Sequence, residues 1–483
     1  MKIVFIFARK TAGETATPPV GIMSLAAVLR NYGYQDVKLF DMAYHSPAFI
    51  SDICQKHQPD IIGLSSDSIS FEQGVKCLAM VRHVCSRAIF ILGGIHPTIA
   101  PEQSLHMTNA SLAVIGEGEA TIVDTVKAIE DGTDYSSVRG IAYRNGDQIV
   151  RTSPRGYIQD LDTIPFPARD LLPMEKYLAA RPDLPMLYPT ITLLASRGCK
   201  ANCIYCQPVA RTVFGRTMRH RTVENVIEEI IYLKTSFTFN NLYFVDDELL
   251  FNGREWIDLL LNSMIQRNLR VRWTCQARVD QVQDTALVAL MRKAGCYAIG
   301  FGVESGSQKI LNYMRKGYKA EMIDSAFALC RKHGIITTCN LMVGTPGETK
   351  ETIRESAAML NRVRPNLVRV SITTPTPGSD LYKAMKDENR IKVSNLSDFD
   401  RWQANPIRLD NFSRDDILQA IRLLLGTFYG NVLRLFFKPL RLAAEFFFWR
   451  TLMIRYCQML RNPRLVIKDL FFYLNYFKFR KGY

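Results

Sequence analysis

Twice along this chain, short apolar segments alternate with amphipathic helical patterns, and this double alternation limits the fold more than any other feature. Before residue 131 the strand candidates are 3–7, 37–40, 61–65, 89–92 and 113–115, separated by helical patterns near 22–32, 47–57, 71–84, 97–105 and 120–130. From residue 190 strands are expected at 190–195, 241–245, 271–275, 297–301, 335–342 and 367–372, with helices near 223–235, 253–267, 284–293, 309–314, 319–332 and 350–363 between them. Such alternation implies an α/β protein with parallel sheets covered on both faces. Five units predict a flavodoxin-like, Rossmann-type sheet of order 2-1-3-4-5, and six predict an open, partial (β/α)6 barrel. Ligands gather at the carboxyl ends of the strands in both. With 483 residues, 47% of them hydrophobic, the chain has room for two or three domains. The expected divisions are 1–135 for the first sheet, 136–189 for a hairpin and linker, 190–385 for the barrel, and 386–483 for an α-helical region. Asn145-Gly146-Asp147 is the hairpin signal, and the Pro- and Asp-rich stretch 157–173 suits neither helix nor sheet.

Directly after the first barrel strand comes Cys199-Lys200-Ala201-Asn202-Cys203-Ile204-Tyr205-Cys206. Thiolates at this spacing can converge on one centre. Three of them leave one iron of a cubane [4Fe–4S] cluster without a protein ligand, an opening where a small molecule can bind and be reduced. A zinc site would need a fourth ligand, and the nearest histidine, His220, has no partner at a ligand spacing. The N-terminal apolar run is too short for a signal peptide, and Arg9 and Lys10 follow it rather than precede it, so it reads as a first strand. A cytoplasmic protein is therefore expected, its eleven cysteines mostly reduced. Cys54, Cys77, Cys85, Cys330 and Cys457 lie in helical patterns and read as small core residues.

The Cys-x3-Cys-x2-Cys spacing, with Tyr205 before the last cysteine, resembles the radical SAM (S-adenosylmethionine) superfamily. The resemblance implies that Cys199, Cys203 and Cys206 hold the cluster and that its open iron binds the amino and carboxylate groups of SAM. An electron then cleaves SAM to a 5'-deoxyadenosyl radical. It also implies an electron donor such as a flavodoxin or ferredoxin. The first half resembles the cobalamin-binding domain found N-terminal to many radical SAM enzymes. The matching pieces are Pro18-Pro19-Val20-Gly21, Gly93-Gly94-Ile95-His96-Pro97-Thr98 and Gly116-Glu117-Gly118-Glu119. Small residues at strand ends admit a bulky ligand to the backbone, although glycines at such turns also serve as plain turn chemistry. Ser65, Ser66, Gly93, Gly94, Gly116 and Glu117 are the cobalamin-binding candidates, the first four beside the buried nucleotide tail. Where cobalamin mutases carry Asp-x-His-x-x-Gly, this chain reads Arg9-Lys10-Thr11-Ala12-Gly13, so the lower face of the cobalt lacks that histidine. His96 and His45, near the same rim, read as surface or capping residues.

The resemblance runs over roughly residues 1–385 and supplies candidates for SAM: Tyr205 against the adenine, and Asp246, Asp247, Arg278 and Glu304. Asp246 and Asp247 close the second barrel strand, where carboxylates can accept from an ammonium group, though a helix cap or a solvated turn would use them too. Arg278 can donate in pairs to a carboxylate. Glu304 leaves an apolar strand and needs a cationic or hydroxyl partner, either SAM or a structural ion pair with Arg278. Gly344-Thr345-Pro346-Gly347-Glu348 reads as a sharp turn with a capping Glu, and 374–379 as part of a substrate mouth.

The formal net charge is +15, and residues 431–483 carry +9 of it, among runs such as Phe446-Phe447-Phe448-Trp449. Lys or Arg interrupts every apolar run before the ~18–20 residues a spanning helix needs. The pattern suits peripheral contact with an anionic membrane at the inner face, and packing on the barrel would use the same residues. Nucleic-acid binding is the least favoured reading. A small-molecule or lipid-like substrate is expected. The function implied is methyl transfer from methylcobalamin to an unactivated carbon after hydrogen abstraction. Cyclisation, ring contraction or another rearrangement without net methyl transfer is the alternative, and a zinc or nucleic-acid binding module the reading from a different class.

Overall fold

In the computed structural model, residues 1–9, 17–179, 189–206, 212–393, 395–399, 407–410 and 412–436 are described. The chain divides into two compact units, Met1–Leu425 and Gly426–Tyr483. The first contains both sheets. Of the second, only 426–436 is described, the end of the helix Arg414–Phe436.

The first sheet is built from β1 (Ile3–Phe7), β2 (Val37–Asp41), β3 (Ile61–Ser65), β4 (Ile89–Gly93), β5 (Leu112–Val114), β6 (Ile141–Asn145) and β7 (Gln148–Arg151). Its order is β2-β1-β3-β4-β5-β6-β7. The five parallel strands take the flavodoxin-like order, and their continuous apolar runs are buried because helices cover both faces. Ile22, Met23, Ile122 and Val126 from helices Val20–Asn31 and Glu119–Glu130 fill one face. Ile50, Cys54, Leu78 and Val81 from helices Pro47–His57 and Phe71–Val84 fill the other. Helix Pro47–His57 starts where sequence chemistry dictates: Ser46 accepts from the Phe49 N–H at 3.2 Å, and Pro47 follows it.

Two expectations are corrected here. The hairpin is not part of a separate linker, because β6 pairs antiparallel with β5, Ala113 facing Ala142, and extends the first sheet past residue 135. The single helix expected over 97–105 is two, Ile95–Ile99 and Pro101–Thr108. Pro101 holds the preceding Ala100 out of helical conformation, at φ −140° and ψ 59°.

The second sheet comprises β8 (Thr190–Leu193), β11 (Asn241–Phe244), β12 (Trp273–Ala277), β13 (Cys296–Glu304), β14 (Ile336–Val343) and β15 (Leu367–Ile372). All neighbours are parallel, in the order β15-β14-β13-β12-β11-β8, so among the described residues the barrel stays open between β15 and β8. The segment expected as one strand over 190–195 breaks after Leu193. It resumes as β9 (Ser196–Arg197), which pairs antiparallel with β10 (Arg219–His220) beside the cysteine loop.

Candidate functional site

The cysteine loop is fixed at both ends. Gly198 has φ +97°, and a Cβ there would fall well inside contact distance of the Thr217 carbonyl oxygen, so the turn into Cys199 requires glycine. At the other end the Ile204 N–H donates to the Met314 carbonyl at 3.1 Å, and the Leu381 N–H donates to the Ile204 carbonyl at 2.9 Å. Ile204 packs with Leu381, Met385 and Ile407, so the helix Asp380–Asp387 clamps the loop from beyond the barrel. Cys199 and Cys203 are buried and Cys206 half-buried, all as free thiols. Burial, then the neighbouring acidic groups Asp247 and Glu248, push Cys199 up to about 11. Cys206 rises to about 12 through burial and the proximity of Cys203, Asp247 and Cys199. Thiols held together in this way become thiolates only where a cation meets them, which iron would supply. Among the described residues no three His, Cys, Asp or Glu meet closely enough to hold a single metal ion. A cubane places each thiolate on its own iron, so its sulfurs need not meet at one point.

Beside the loop lies a polar cluster that only the fold assembles. Glu304 sits at φ 67°, where the β13–β14 register shifts. Its Oε1 accepts from the Tyr205 hydroxyl at 2.9 Å and lies 3.6 Å from Lys316 Nζ. Lys316 also donates to the Tyr205 hydroxyl at 3.2 Å and to the Gly302 carbonyl at 2.8 Å. Burial works against the Lys316 charge, but Tyr318 and Glu304 outweigh it and hold its pKa above the usual lysine range. The cation facing Glu304 is thus Lys316. The Arg278 pairing considered from sequence does not form.

Arg278 is committed elsewhere. Asp280 takes its Nε and Nη2 at 3.0 and 2.9 Å, the Lys316 carbonyl accepts from Nη2, and Nη1 donates to Cys203 Sγ at 3.6 Å. It faces a cluster cysteine, and its paired donors are not open to a SAM carboxylate. Asp246 also turns away from the opening, accepting from the Ala195 N–H at 3.2 Å and from the Ser196 hydroxyl. Burial nevertheless raises it to about 6. Asp247 is exposed, and it lies close enough to Cys199 and Cys206 to raise both; the surrounding protein, with Asp246 adjacent, pushes its own carboxyl up to about 7. Glu248, unmarked by sequence, is buried with Oε2 on the Arg278 N–H at 2.7 Å and with Oε1 unpartnered among the described residues.

At the carboxyl edge of the first sheet, a Cβ on Gly93 or on Gly116 would meet open space. Gly94 has φ +90°, and a Cβ there would press on Ser65 and Ser66. Among the described residues the Ser66 hydroxyl and His96 Nε2 are buried without hydrogen-bond partners, as a site awaiting a polar ligand would leave them. His96 is no surface residue. It is 1% exposed, lies against Phe71 with ring centroids 4.3 Å apart, and burial lowers it to about 4, so it stays neutral. Glu117 departs from its cobalamin assignment: it accepts from Arg197 and Arg219, both in the second half of the chain. Residues 10–13, which replace the cobalt-binding histidine motif, lie outside the described residues.

The comparisons agree with this arrangement. Residues 10–126 match the B12 binding domain family and residues 193–360 the Radical SAM superfamily. The chain is a radical SAM protein with a B12-binding domain. Among its relatives is an uncharacterized methyltransferase, PH0819, of Pyrococcus horikoshii, 28% identical over 438 residues and covering 89% of this chain and 92% of the relative. Another is the anaerobic magnesium-protoporphyrin IX monomethyl ester cyclase of Rubrivivax gelatinosus, 28% identical over 445 residues and covering 89% and 78%. The same fold is seen in the cobalamin-dependent S-adenosylmethionine radical enzyme OxsB with aqua-cobalamin and SAM bound, at TM-score 0.73 and 18% identity over 87% of this chain and 66% of that one. The cofactors of this radical SAM enzyme are accordingly a [4Fe–4S] cluster, SAM and cobalamin.

Lys316, Glu119, Arg197 and Arg219 escape a reading of the sequence. The available signals were slight: Glu119 repeats the acid of its turn, and Arg197 stands two residues before Cys199. Lys316 has no local mark, since its partner Tyr205 lies 111 residues away.

Proposed function

We propose that this protein is a methyltransferase that acts on an unactivated carbon of a small or lipid-like molecule. The observation that carries the reading is the direct bond between the two halves. Glu117, next to Gly116 on the edge offered to cobalamin, binds Arg197, two residues before Cys199, so both cofactors would face one space. When bound, the cluster and SAM supply a hydrogen-abstracting deoxyadenosyl radical and cobalamin supplies the methyl group. Cys199, Cys203 and Cys206 hold the cluster, and Arg278 lies against one of its ligands. Tyr205, Asp247 and Glu304 are the side chains that would hold SAM, a carboxylate accepting from its ammonium group, and Lys316 Nζ lies 3.6 Å from Glu304. Ser65, Ser66, Gly93, Gly94 and Gly116 admit the cobalamin tail. The methyltransferase relative supports methyl transfer, and the cyclase relative supports a rearrangement without it.

Anaerobically reconstituted protein is expected to form 5'-deoxyadenosine, and Cys203→Ala to abolish it. With methyl-labelled SAM, label in the product supports methylation. Turnover that leaves the product unlabelled would turn the assignment to cyclisation or rearrangement. For the tail beyond residue 436, composition supports binding at an anionic membrane surface. Flotation of the full chain with anionic but not zwitterionic vesicles is the expected result.

A further inference from the structure

We propose that Glu117 and Glu119 are positioning residues that set the cysteine loop at a fixed distance from the cobalamin-binding edge, through a buried cluster with Arg197 and Arg219. The proposal rests on the two cofactors assigned above, and does not depend on methyl transfer.

Arg197 and Arg219 face each other across the β9–β10 pair, where like charges repel. Their side chains are 7% and 4% exposed, so water cannot screen them. Two carboxylates that follow β5, Glu117 in the turn and Glu119 at the start of the helix Glu119–Glu130, complete the balance. Glu117 accepts from Arg197 Nη1 at 3.0 Å, from Arg219 Nη1 at 2.9–3.0 Å, and from the Ile158 N–H at 2.7 Å. Glu119 accepts from Arg197 Nη2. The geometry of β9–β10 therefore depends on acids about 80 residues earlier, in the other half of the chain. Apolar surfaces tolerate sliding, whereas buried, directional charge pairs fix register. The path is short at both ends. Gly116 adjoins Glu117 at the cobalamin edge, and only Gly198 separates Arg197 from Cys199. Gly215, whose carbonyl accepts from the Cys199 N–H at 3.4 Å, has no room for a side chain because Tyr157 lies against it. The ring of Tyr157 in turn carries Arg219, at 5.0 Å. Loop, hairpin and acids form one connected unit.

The test uses the full chain loaded with cluster and cobalamin, comparing wild type, Glu119→Gln, Glu117→Asp and the double variant Glu117→Gln/Glu119→Gln. The surface-pair variant Glu102→Gln is the control. Two readouts need no substrate. One is amide hydrogen exchange of residues 195–206 against that of β14. The other is magnetic coupling between cob(II)alamin and the reduced cluster, measured by pulsed electron paramagnetic resonance. The expected result is about tenfold faster exchange at 195–206 with β14 unchanged, together with a weakened or broadened coupling. Glu117→Asp, which keeps the charge on a shorter arm, is expected to fold and to shift the coupling even if the double variant does not fold. Unchanged exchange and coupling in loaded variants would overturn the proposal, as would exchange rising equally throughout the chain. Wild-type protein that takes up no cobalamin would instead refute the cofactor assignment beneath it.

Discussion

Glu304 shows what the fold asks of single residues. A glutamate at φ 67° is strained, and it persists because the shift in strand register, Tyr205 and Lys316 hold it there. Lys316→Met would leave that carboxylate without its cation and is expected to destabilise the chain by about 3–5 kcal/mol in denaturant unfolding. It should also weaken SAM binding, as read by equilibrium dialysis. Glu348 gives a pH prediction. Its Oε2 accepts from the Gly344 and Thr345 N–H groups, Oε1 has no partner among the described residues, and burial pushes the carboxyl up to about 7. The folded chain then keeps a proton that the unfolded chain loses near 4.5, so stability falls as pH rises between about 4.5 and 7. The slope is at most about 1.4 kcal/mol per pH unit. Glu348→Gln cannot titrate, so the wild-type chain should lose stability relative to it across that window in unfolding measurements. Sequence marked Glu304 as needing a partner and offered SAM or Arg278, not Lys316, because charge pairing is decided by distance in space.

At the scale of elements, the cysteine loop depends on neighbours that its own motif does not specify. Gly198→Ala would force a side chain into the left-handed region against the Thr217 carbonyl, and is expected to cost about 1–3 kcal/mol and to lower iron and sulfide content per chain. Leu381→Ala would open a cavity under Ile204, for about 2–5 kcal/mol by denaturant unfolding. It should also speed amide exchange at residues 203–206. Strands and helices were legible from hydrophobic period, as for the helix Lys350–Val363, where the structure adds a reciprocal cap between Thr349 and Thr352. Legibility failed at Pro101, where one residue divides a continuous helical pattern, and at β6–β7, where a strong local turn signal says nothing about which sheet the hairpin joins.

In the first compact unit, as a whole, the two sheets are joined by buried charge. Besides the Glu117 cluster, Arg169, 1% exposed, donates to Glu229 at 2.9 Å and to the Thr192 carbonyl at 2.7 Å. The neighbouring Ala168 N–H donates to the Met23 carbonyl at 3.1 Å, so this segment is wedged between a helix of the first half and the first barrel strand. Arg169→Met leaves Glu229 paired with Arg221 alone and the Thr192 carbonyl without this donor; it is expected to cost about 1–3 kcal/mol and to split one calorimetric transition into two as the halves uncouple. A single unshifted transition would show that this junction does not couple them. No helix among the described residues is long and apolar enough to cross a membrane. Sequence alone determined the alternating α/β pattern and the cysteine trio, because hydrophobic period and motif spacing are local properties; the strand order of the first sheet was an expectation from the flavodoxin-like pattern, met by the observed pairings. Only the tertiary structure decided that Lys316 faces Glu304, that Arg278 faces Cys203, and that Glu117 binds arginines of the other half. Those choices belong to charges far apart in the chain, which must be neutralised wherever folding buries them together.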